Sequence, residues 1–220
     1  MLHSALLAEK WLRKKSFSNF GCIGFLKTGA AFFMDEISDK ELIAQFRDEK
    51  SRQGAFRKIV ERYQKRLYWH IRRMLLDHDD TDDVLQNCFI KAWKGLDNFK
   101  EDSQLYTWLY RIATNETLSF IRQQKADRYV RFGDVEQSIE SKLEDDNYFN
   151  GDAIQKKLQV AIAQLPEKQR LVFTMKYFED MKYEDMSAVL ETSVGALKAS
   201  YHHAVKKIEA FIRATDDLTH

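Results

Sequence analysis

Apolar side chains recur every three or four positions through most of residues 39–125, and this period constrains the fold more than any other feature. One buried face of an α-helix requires that spacing. The same period returns beyond residue 153. Only one proline and eight glycines occur among 220 residues, so few positions interrupt a helix. We therefore predict an all-α protein whose helices are joined by short turns.

The first periodic stretch divides into four predicted helices. The third follows a break at residues 77–81 and has Thr81 or Asp82 as its N-cap. The fourth runs from about residue 105 to residue 124. Cys88 occupies an apolar position of the third helix, which predicts a buried free thiol. The chain's two cysteines are too few for a disulfide scaffold.

Acidic residues separate two helical domains. Between Gly133 and Gly151 they far outnumber the single lysine, Lys142. We interpret residues 127–152 as an acidic linker, residues 37–126 and 153–213 as two small helical domains, and residues 1–33 as an extension of unknown role. Because Met34 directly precedes a capped helix start, we hypothesise that the natural chain begins there.

The C-terminal domain has helix-turn-helix proportions. A helix over residues 183–190 and a three-residue turn precede a second helix that starts at Val194, with Ser193 as its predicted N-cap. The second helix of such a motif enters the DNA major groove. A helical hairpin that serves stability alone is the alternative on this pattern. The net charge of +1 does not favour nucleic-acid binding by itself, so the local distribution of charge must carry that prediction.

Aromatic and basic residues share the predicted fourth helix. Tyr106, Trp108 and Tyr110 lie near its start, and Arg111 and Arg122 follow. Aromatic rings stack on unpaired bases and arginines bind phosphates, so the two residue types together favour binding of single-stranded DNA. A tryptophan at helical spacing is more typical of a core, so Tyr106 and the loop before it are better candidates for direct contact.

The third predicted helix has a polar side opposite its apolar stripe. Asp83, Gln86 and Asn87 lie on that side. A solvated face is the default interpretation of such residues.

The order and wording of three segments resemble one family, the extracytoplasmic-function sigma factors of bacterial RNA polymerase. Residues 79–99, DDTDDVLQNCFIKAWKGLDNF, resemble its region 2.2, and residues 103–115, SQLYTWLYRIATN, resemble regions 2.3 and 2.4. The segment from LPEKQRLVF, residues 165–173, through residue 207 resembles region 4. The similarity covers roughly residues 37–210. It implies a region 2 bundle and a region 4 helix-turn-helix joined by the acidic linker.

The resemblance implies roles for named residues. Core polymerase, through the clamp helices of its largest subunit, would contact Asp83, Gln86 and Asn87. A loop over residues 99–105, with Tyr106 and Asn115, would hold a flipped base of the minus-10 element. The full minus-10 set is Tyr106, Trp108, Arg111, Asn115 and Arg122. The minus-35 set is Gly195, Lys198, Ser200, His202, His203 and Lys206.

The chain departs from the family's usual pattern in its minus-35 segment. The family usually has arginine around the positions of Lys198 and Ser200, and again where His203 stands. Fewer guanidinium groups mean a weaker or different reading of bases. The promoter sequence therefore does not follow from the resemblance.

The resemblance predicts a sigma factor that binds core polymerase and promoter DNA and directs initiation. We expect no enzymatic activity, cofactor or metal site, because the sequence has no phosphate-binding glycine loop, nucleophile elbow or Cys/His cluster. We also expect a cytoplasmic protein without membrane insertion, an anti-sigma partner, and two domains only tethered when free. The alternatives are a helix-turn-helix regulator acting without core polymerase and an all-α protein-interaction module.

Overall fold

The structure, a computed structural model, describes residues 37–129 and 153–217, with side chains described over 37–124 and 157–215. Within these ranges it has eight α-helices and a short 3-10 helix, Leu96–Asn98. The helices are α1 Asp39–Arg47, α2 Arg52–Leu75, α3 His78–Gly95, α4 Leu105–Tyr129, α5 Ala153–Ala163, α6 Glu167–Tyr177, α7 Tyr183–Leu190 and α8 Val194–Asp217. The predicted all-α fold is confirmed.

Helices α1 to α4 form the first domain. A capping box starts α1: the Ser38 hydroxyl accepts a hydrogen bond from the Glu41 amide, and the Glu41 carboxylate accepts one from the Ser38 amide. The apolar faces of α1 and α2 meet those of α3 and α4 in one buried cluster. Its fully buried side chains include Phe46, Ile59 and Leu109. The three- and four-residue period of the sequence is therefore the inner face of this bundle.

Helix α3 begins earlier than the sequence predicts. Its N-cap is Asp77, whose carboxylate accepts a hydrogen bond from the Asp80 amide at 3.2 Å. Thr81 lies inside the helix, and its hydroxyl donates to the Asp77 carbonyl. Acidic residues in the first turn are favoured by the helix dipole, so Asp79 and Asp80 extend the helix rather than interrupt it. The prediction of Thr81 or Asp82 as the cap is wrong.

Helix α4 continues past the predicted end at residue 124 and reaches Tyr129, so its last turn enters the segment interpreted as linker. Residues 130–152, which hold most of the predicted acidic linker, lie outside the described residues, as do the N-terminal extension and Met34. No helix in the described ranges is long and apolar enough to cross a membrane.

Helices α5 to α8 form the second domain. Its buried centre joins Phe173 of α6 to Ala204 and Ile208 of α8 and to Leu158 of α5. The predicted Ser193 cap is confirmed, because the Ser193 hydroxyl accepts a hydrogen bond from the Ala196 amide at 3.3 Å. The helix-turn-helix of α7 and α8 is therefore supported by α5 and α6, which pack against α8.

The two domains pack against each other, contrary to the expectation that they are only tethered. Helix α7 lies against α4, and α6 lies against α2. The main apolar cluster of the first domain continues into Met186 and Val189 of α7. A smaller contact joins Leu76, after α2, to Ala163 of α5. Part of the second domain's apolar surface is therefore buried against the first domain rather than in its own interior.

Candidate nucleic-acid interface

The outer face of α3 presents the three predicted polar contacts to solvent. Asp83, Gln86 and Asn87 are all exposed. Ile90 lies on the same face, three residues after Asn87 and four after Gln86, and is 45% exposed. It is the one large hydrophobic side chain classed as exposed in the described part of the chain. Ile90 is absent from the predicted set, although an isoleucine in register with three polar positions is a readable signal.

The inner face of α3 is packed. Cys88 is fully buried and is a free thiol, as predicted. Burial raises the pKa of the Cys88 thiol to about 12, and the nearby charge of Glu116 adds to the shift. The polar residues on the opposite side of α3 are therefore free to bind a partner without disturbing the packing.

A cavity of about 440 Å³ lies beside the loop that connects α3 and α4. Its walls come from two separate stretches of the first domain, α1 and the loop. They are formed by Asp39, Lys40, Ile43, Phe99, Glu101, Asp102, Ser103, Gln104 and Leu105. The loop half of this set matches the predicted segment 99–105. The α1 part lies some sixty residues earlier in the chain. It was not predicted, because no local sequence pattern connects α1 with the loop.

Arg47 holds the loop from the end of α1. Its Nη2 donates to the Phe99 carbonyl at 2.8 Å, and its Nη1 lies 3.0 Å from the Glu101 carboxylate. Glu101 has a φ of 61°, a left-handed conformation that non-glycine residues seldom adopt. We call the contact of Arg47 with Phe99 and Glu101 the loop clamp. It fixes the loop in a strained shape, and no sequence pattern identifies it.

The structure does not bring Tyr106 and Asn115 to this cavity. Tyr106 packs on Tyr110, with ring centroids 4.3 Å apart, on the side of α4 that meets the second domain. Burial raises the pKa of Tyr106 to about 12, and the negative charge of Glu179 in the second domain contributes. Asn115 is exposed farther along α4.

Trp108 of α4 packs against the loop through the Phe99 ring. Its ring lies 5.1 Å from the Phe99 ring, centroid to centroid, and a Cβ placed on Gly95 would come within 3.1 Å of it. The side chain is half-buried. This packing corresponds to the structural role that helical spacing suggests for Trp108.

Arg111, Asn115 and Arg122 follow one another at spacings of four and seven residues, so they share one side of α4. Asn115 and Arg122 are exposed, and the Arg122 Nε donates to the Leu118 carbonyl of its own helix at 3.1 Å. Arg111 instead reaches the second domain. Its Nε donates to the Ala188 carbonyl at 3.2 Å, and its Nη1 lies 3.4 Å from the Glu191 carboxylate.

The outer face of α8 carries the predicted minus-35 residues. Its inner face is Leu197, Ala204 and Ile208, each at most 1% exposed. Ser200 is partly exposed, and the remaining members of the set are exposed: Gly195, Lys198, His202, His203 and Lys206. The structure therefore brings all six together on one helix, with the apolar residues turned inward.

Gly195 lies in open space at the start of α8. A Cβ there would meet no atom within 4 Å. The fold therefore does not demand a glycine, and the position is available for close approach of a ligand. Lys198 lies nearby with its Nζ 5.7 Å from the Tyr183 ring centroid. Within the described ranges no group of His, Cys, Asp and Glu could hold a metal ion.

Two family models match the chain, one for each domain. Residues 59–126 match Sigma-70 region 2, and residues 155–208 match Sigma-70, region 4. The matches include α3, most of α4 and the helix-turn-helix.

Curated relatives match over most of their lengths. The ECF RNA polymerase sigma factor SigW of Bacillus subtilis is 31% identical over 186 residues, which covers 81% of this chain and 98% of SigW. The RNA polymerase sigma-H factor of Pseudomonas aeruginosa is 30% identical over 187 residues, covering 78% of this chain and 92% of that protein. The ECF RNA polymerase sigma-E factor of Escherichia coli is 30% identical over 190 residues, with coverages of 80% and 94%.

Two solved structures share the fold. CnrH, solved in complex with the cytosolic domain of CnrY, is 26% identical with a TM-score of 0.59, covering 80% of this chain and 97% of CnrH. The sigma factor RpoE from Bartonella quintana, solved with the anti-sigma factor NepR, has a TM-score of 0.60 and 20% identity, covering 72% and 96%.

Proposed function

The chain belongs to the extracytoplasmic-function sigma factors of RNA polymerase, and we propose that three of its surfaces divide the work of initiation. As a sigma factor it binds core polymerase and directs promoter-specific initiation. The proposal concerns the residues: α3 for core polymerase, the loop cavity and α4 for the minus-10 element, and α8 for the minus-35 element. The observation that carries it is that α3, α4 and α8 each present predicted contact residues to solvent. They are Asp83, Gln86 and Asn87 on α3, Asn115 and Arg122 on α4, and five of the six minus-35 residues on α8.

Core polymerase binds the outer face of α3 in this proposal. Ile90 supplies an apolar centre, and Asp83, Gln86 and Asn87 surround it with hydrogen-bonding groups. Interfaces are commonly built in this way, with a desolvated apolar anchor and a polar rim. The exposed isoleucine distinguishes this face from a merely solvated one.

The minus-10 element is read by the loop cavity together with the exposed side of α4. A base that leaves the stack costs a few kcal/mol, so a cavity that captures only the correct base makes the reading selective. The loop clamp presets the cavity, since Arg47 holds the Phe99 carbonyl and the Glu101 carboxylate. Asn115 and Arg122 lie along α4 to contact the strand beyond it.

The minus-35 element is read by α8 in the major groove. The first turn is small and open at Gly195, which permits close approach of the helix to the bases. Lys198, Ser200 and His202 face the bases, and His203 and Lys206 extend the contact along the exposed side. Core polymerase holds the two reading domains at a fixed separation, so that two weak readings combine without additional contacts.

Sigma factors recognise DNA and act on RNA polymerase in the cytoplasm. We therefore propose that this chain is itself cytoplasmic and catalyses no reaction. We also propose an anti-sigma factor as a partner, because the RpoE structure holds the anti-sigma factor NepR and the CnrH structure holds the cytosolic domain of CnrY.

Run-off transcription tests the proposal. Bacterial core polymerase is supplied with this protein and with fragments of the source genome, and the transcript starts are sequenced. Discrete starts that share two upstream elements are expected. If the protein binds promoters without core polymerase and does not stimulate transcription with it, the helix-turn-helix regulator is favoured instead. That alternative does not account for the match to region 2.

A further inference from the structure

Two neighbouring histidines lie on the outer face of α8. His202 and His203 are both exposed, and their ring centroids lie 6.1 Å apart. Within the ranges that the structure describes, neither imidazole forms a hydrogen bond or an ion pair. Both rings are therefore available to a ligand that approaches α8.

The other histidines with described side chains are already engaged. His70 is fully buried, and its ring nitrogens lie 3.0 Å from the Glu179 carboxylate and 3.0 Å from the Thr114 hydroxyl. His78 is exposed, but its Nδ1 lies 2.7 Å from the Tyr68 hydroxyl. The pair on α8 therefore differs from both of them in having no polar partner among the described residues.

Helical geometry places His202 at the centre of the outer face. Gly195, Ala199, His202 and Lys206 follow one another at spacings of four, three and four residues, so they form one row along α8. This row lies opposite the buried apolar side of the helix, and all four members are exposed. Gly195 and Ala199 carry no hydrogen-bonding side chain. His202 is therefore the first member of the row whose side chain can hydrogen-bond to DNA.

The charges on α8 near the two histidines are mainly positive. Lysines lie four residues before and four residues after His202, and another lies four residues after His203, so each shares a side of the helix with a histidine. The charged side chains within two turns are Lys198, Lys206, Lys207 and Glu209. Glu209 lies seven residues after His202 and forms no ion pair with it.

The elements packed against α8 bring no carboxylate to the histidines. Helices α5, α6 and α7 contact its opposite side, and the α5 contact is apolar. Tyr177 of α6 and Tyr183 of α7 lie near Tyr201, and Lys176 lies 5.6 Å from the Tyr183 ring centroid. Glu191, in the turn before α8, pairs with an arginine of the first domain. Among the described groups, none is bonded to either imidazole, so a DNA phosphate would be their first anionic partner.

A histidine changes its hydrogen-bonding capacity when it gains a proton. The neutral ring has one donor and one acceptor, whereas the protonated ring has two donors and a positive charge. Guanine presents two acceptors in the major groove, and phosphates are anionic, so both bind the protonated ring better. Histidine is also the side chain whose charge ordinarily changes between about pH 5 and pH 8. Binding of DNA and binding of protons at such a position therefore favour each other.

We propose that His202 and His203 make reading of the minus-35 element proton-linked, so that the complex of core polymerase with this chain, the holoenzyme, binds that element more tightly as the pH falls. The inference rests on the proposed role of α8. His202 meets a base edge, and His203 lies beside it toward the phosphates.

The direction of the pH effect follows from which state holds the proton. DNA favours the protonated rings, so the gain in affinity is present at low pH and is lost as the pH rises through the titration of the bound rings. Each proton taken up on binding changes the affinity by up to about tenfold per pH unit.

Binding of holoenzyme to a promoter fragment between about pH 6 and pH 8 tests the proposal. The ionic strength is held constant, because phosphate contacts depend on salt. The comparison is with the double variant His202→Gln/His203→Gln, whose side chains form hydrogen bonds but stay neutral. We expect the wild-type affinity to fall about tenfold more than that of the double variant over this range. Core polymerase is the same in both, so its own pH dependence cancels.

Two further variants sharpen the test. His202→Arg keeps its positive charge throughout the range, so its affinity should vary less with pH than that of the wild type. His78→Gln is the matched control, since His78 is an exposed histidine of the first domain, and it should keep the wild-type pH dependence. Circular dichroism checks that each variant keeps its helices.

Calorimetry measures the protons directly. The heat of binding is recorded in two buffers with different heats of ionisation, and the difference gives the number of protons taken up. The wild-type holoenzyme should take up more protons on binding than the double variant, by up to two.

The possible failures are distinct. Equal pH dependence of the wild type and the double variant would overturn the linkage, and so would equal proton uptake. A loss of pH dependence in His78→Gln as large as in the double variant would overturn the assignment to α8. If holoenzyme binds matched and scrambled minus-35 sequences equally at every pH, the proposed function of α8 fails instead, while calorimetry still decides whether the two histidines take up protons on binding DNA.

Discussion

The two proposed DNA-reading surfaces are built in opposite ways. The minus-35 surface is one side of α8, so its residues are neighbours in sequence and a helical period places them together. The minus-10 surface combines Arg47 and Lys40 of α1 with a loop that begins at Phe99, more than fifty residues later. One surface exists wherever its helix folds, whereas the other exists only after the first domain has assembled. Substitutions remote from DNA should therefore impair minus-10 reading far more than minus-35 reading.

A substitution on the outer face of α3 tests whether both surfaces depend on core polymerase. Ile90→Glu places a charge at the centre of the proposed polymerase face and should weaken core binding by at least about 2 kcal/mol, roughly thirtyfold. Transcription should fall equally at promoters that rely on either element. Fluorescence-detected binding to core polymerase measures the loss.

Gln64→Ala, at an exposed position on α2, is the control for Ile90→Glu. Both proteins should melt like the wild type. If Ile90→Glu impaired only one class of promoter, the assignment of α3 to core polymerase would be wrong.

Arg47→Ala tests whether the loop clamp is needed for minus-10 reading. The variant loses the bond to the Phe99 carbonyl and a half-exposed ion pair with Glu101, together about 1–2 kcal/mol of loop order. Discrimination between correct and altered minus-10 bases should fall about tenfold, while discrimination at minus-35 stays constant. Arg47→Lys should restore little, since an ammonium cannot bond two oxygens in the fork geometry.

Arg57→Ala is the matched control for the clamp. Arg57 also pairs with a glutamate, Glu61, at 3.0 Å, but on the solvent side of α2. Its loss should leave promoter selectivity unchanged. Equal losses of minus-10 discrimination in the two variants would refute a role specific to Arg47.

Substitutions on α8 separate base contacts from phosphate contacts. Lys198→Ala should cost ~1–3 kcal/mol only at promoters with the correct contacted base. Lys206→Ala should weaken all promoters alike and reduce the salt dependence of binding by about one phosphate contact. Binding of holoenzyme to matched and scrambled minus-35 sequences over a range of salt measures both. Equal loss on matched and scrambled sequences for Lys198→Ala would contradict its assignment to a base.

The mildest substitutions concern two glycines that lie in the first turns of their helices. A Cβ meets nothing within 4 Å at Gly54 or at Gly195, so alanine should raise the free energy of unfolding by up to about 1 kcal/mol at either position. Only Gly195→Ala should weaken minus-35 binding, because only there would DNA approach the helix. Thermal melts and promoter binding measured on both variants check this, and equal binding by both would remove Gly195 from the interface.

Most of the fold could be predicted because its signals are local. The residues that end α7 and cap α8 lie within a few positions of each other, and the sequence alone predicts the Ser193 cap correctly. The error at α3 is also local: Asp79 and Asp80 suggest a break, although carboxylates suit the first turn of a helix.

Long-range contacts could not be predicted. Nothing near Arg47 in the sequence indicates the Phe99 carbonyl as its partner, and nothing near Glu179 indicates His70, 109 residues earlier. Such contacts depend on packing angles between helices, which a hydrophobic period does not define. The roles assigned to the polymerase and DNA contacts remain predictions for the same reason, since each needs a partner's surface as well as the chain's own.

The buried thiol of Cys88 allows the opening of the first domain to be measured by chemical labelling. Because its pKa is raised to about 12 and its side chain is fully covered, a thiol reagent can react with it only during moments when α3 lifts from the bundle. With Cys22 replaced, Cys88 is the single thiol of the chain, and its labelling rate reports how often that opening occurs. Slower labelling in the presence of core polymerase would show that binding on the outer face of α3 makes the opening of this helix less frequent.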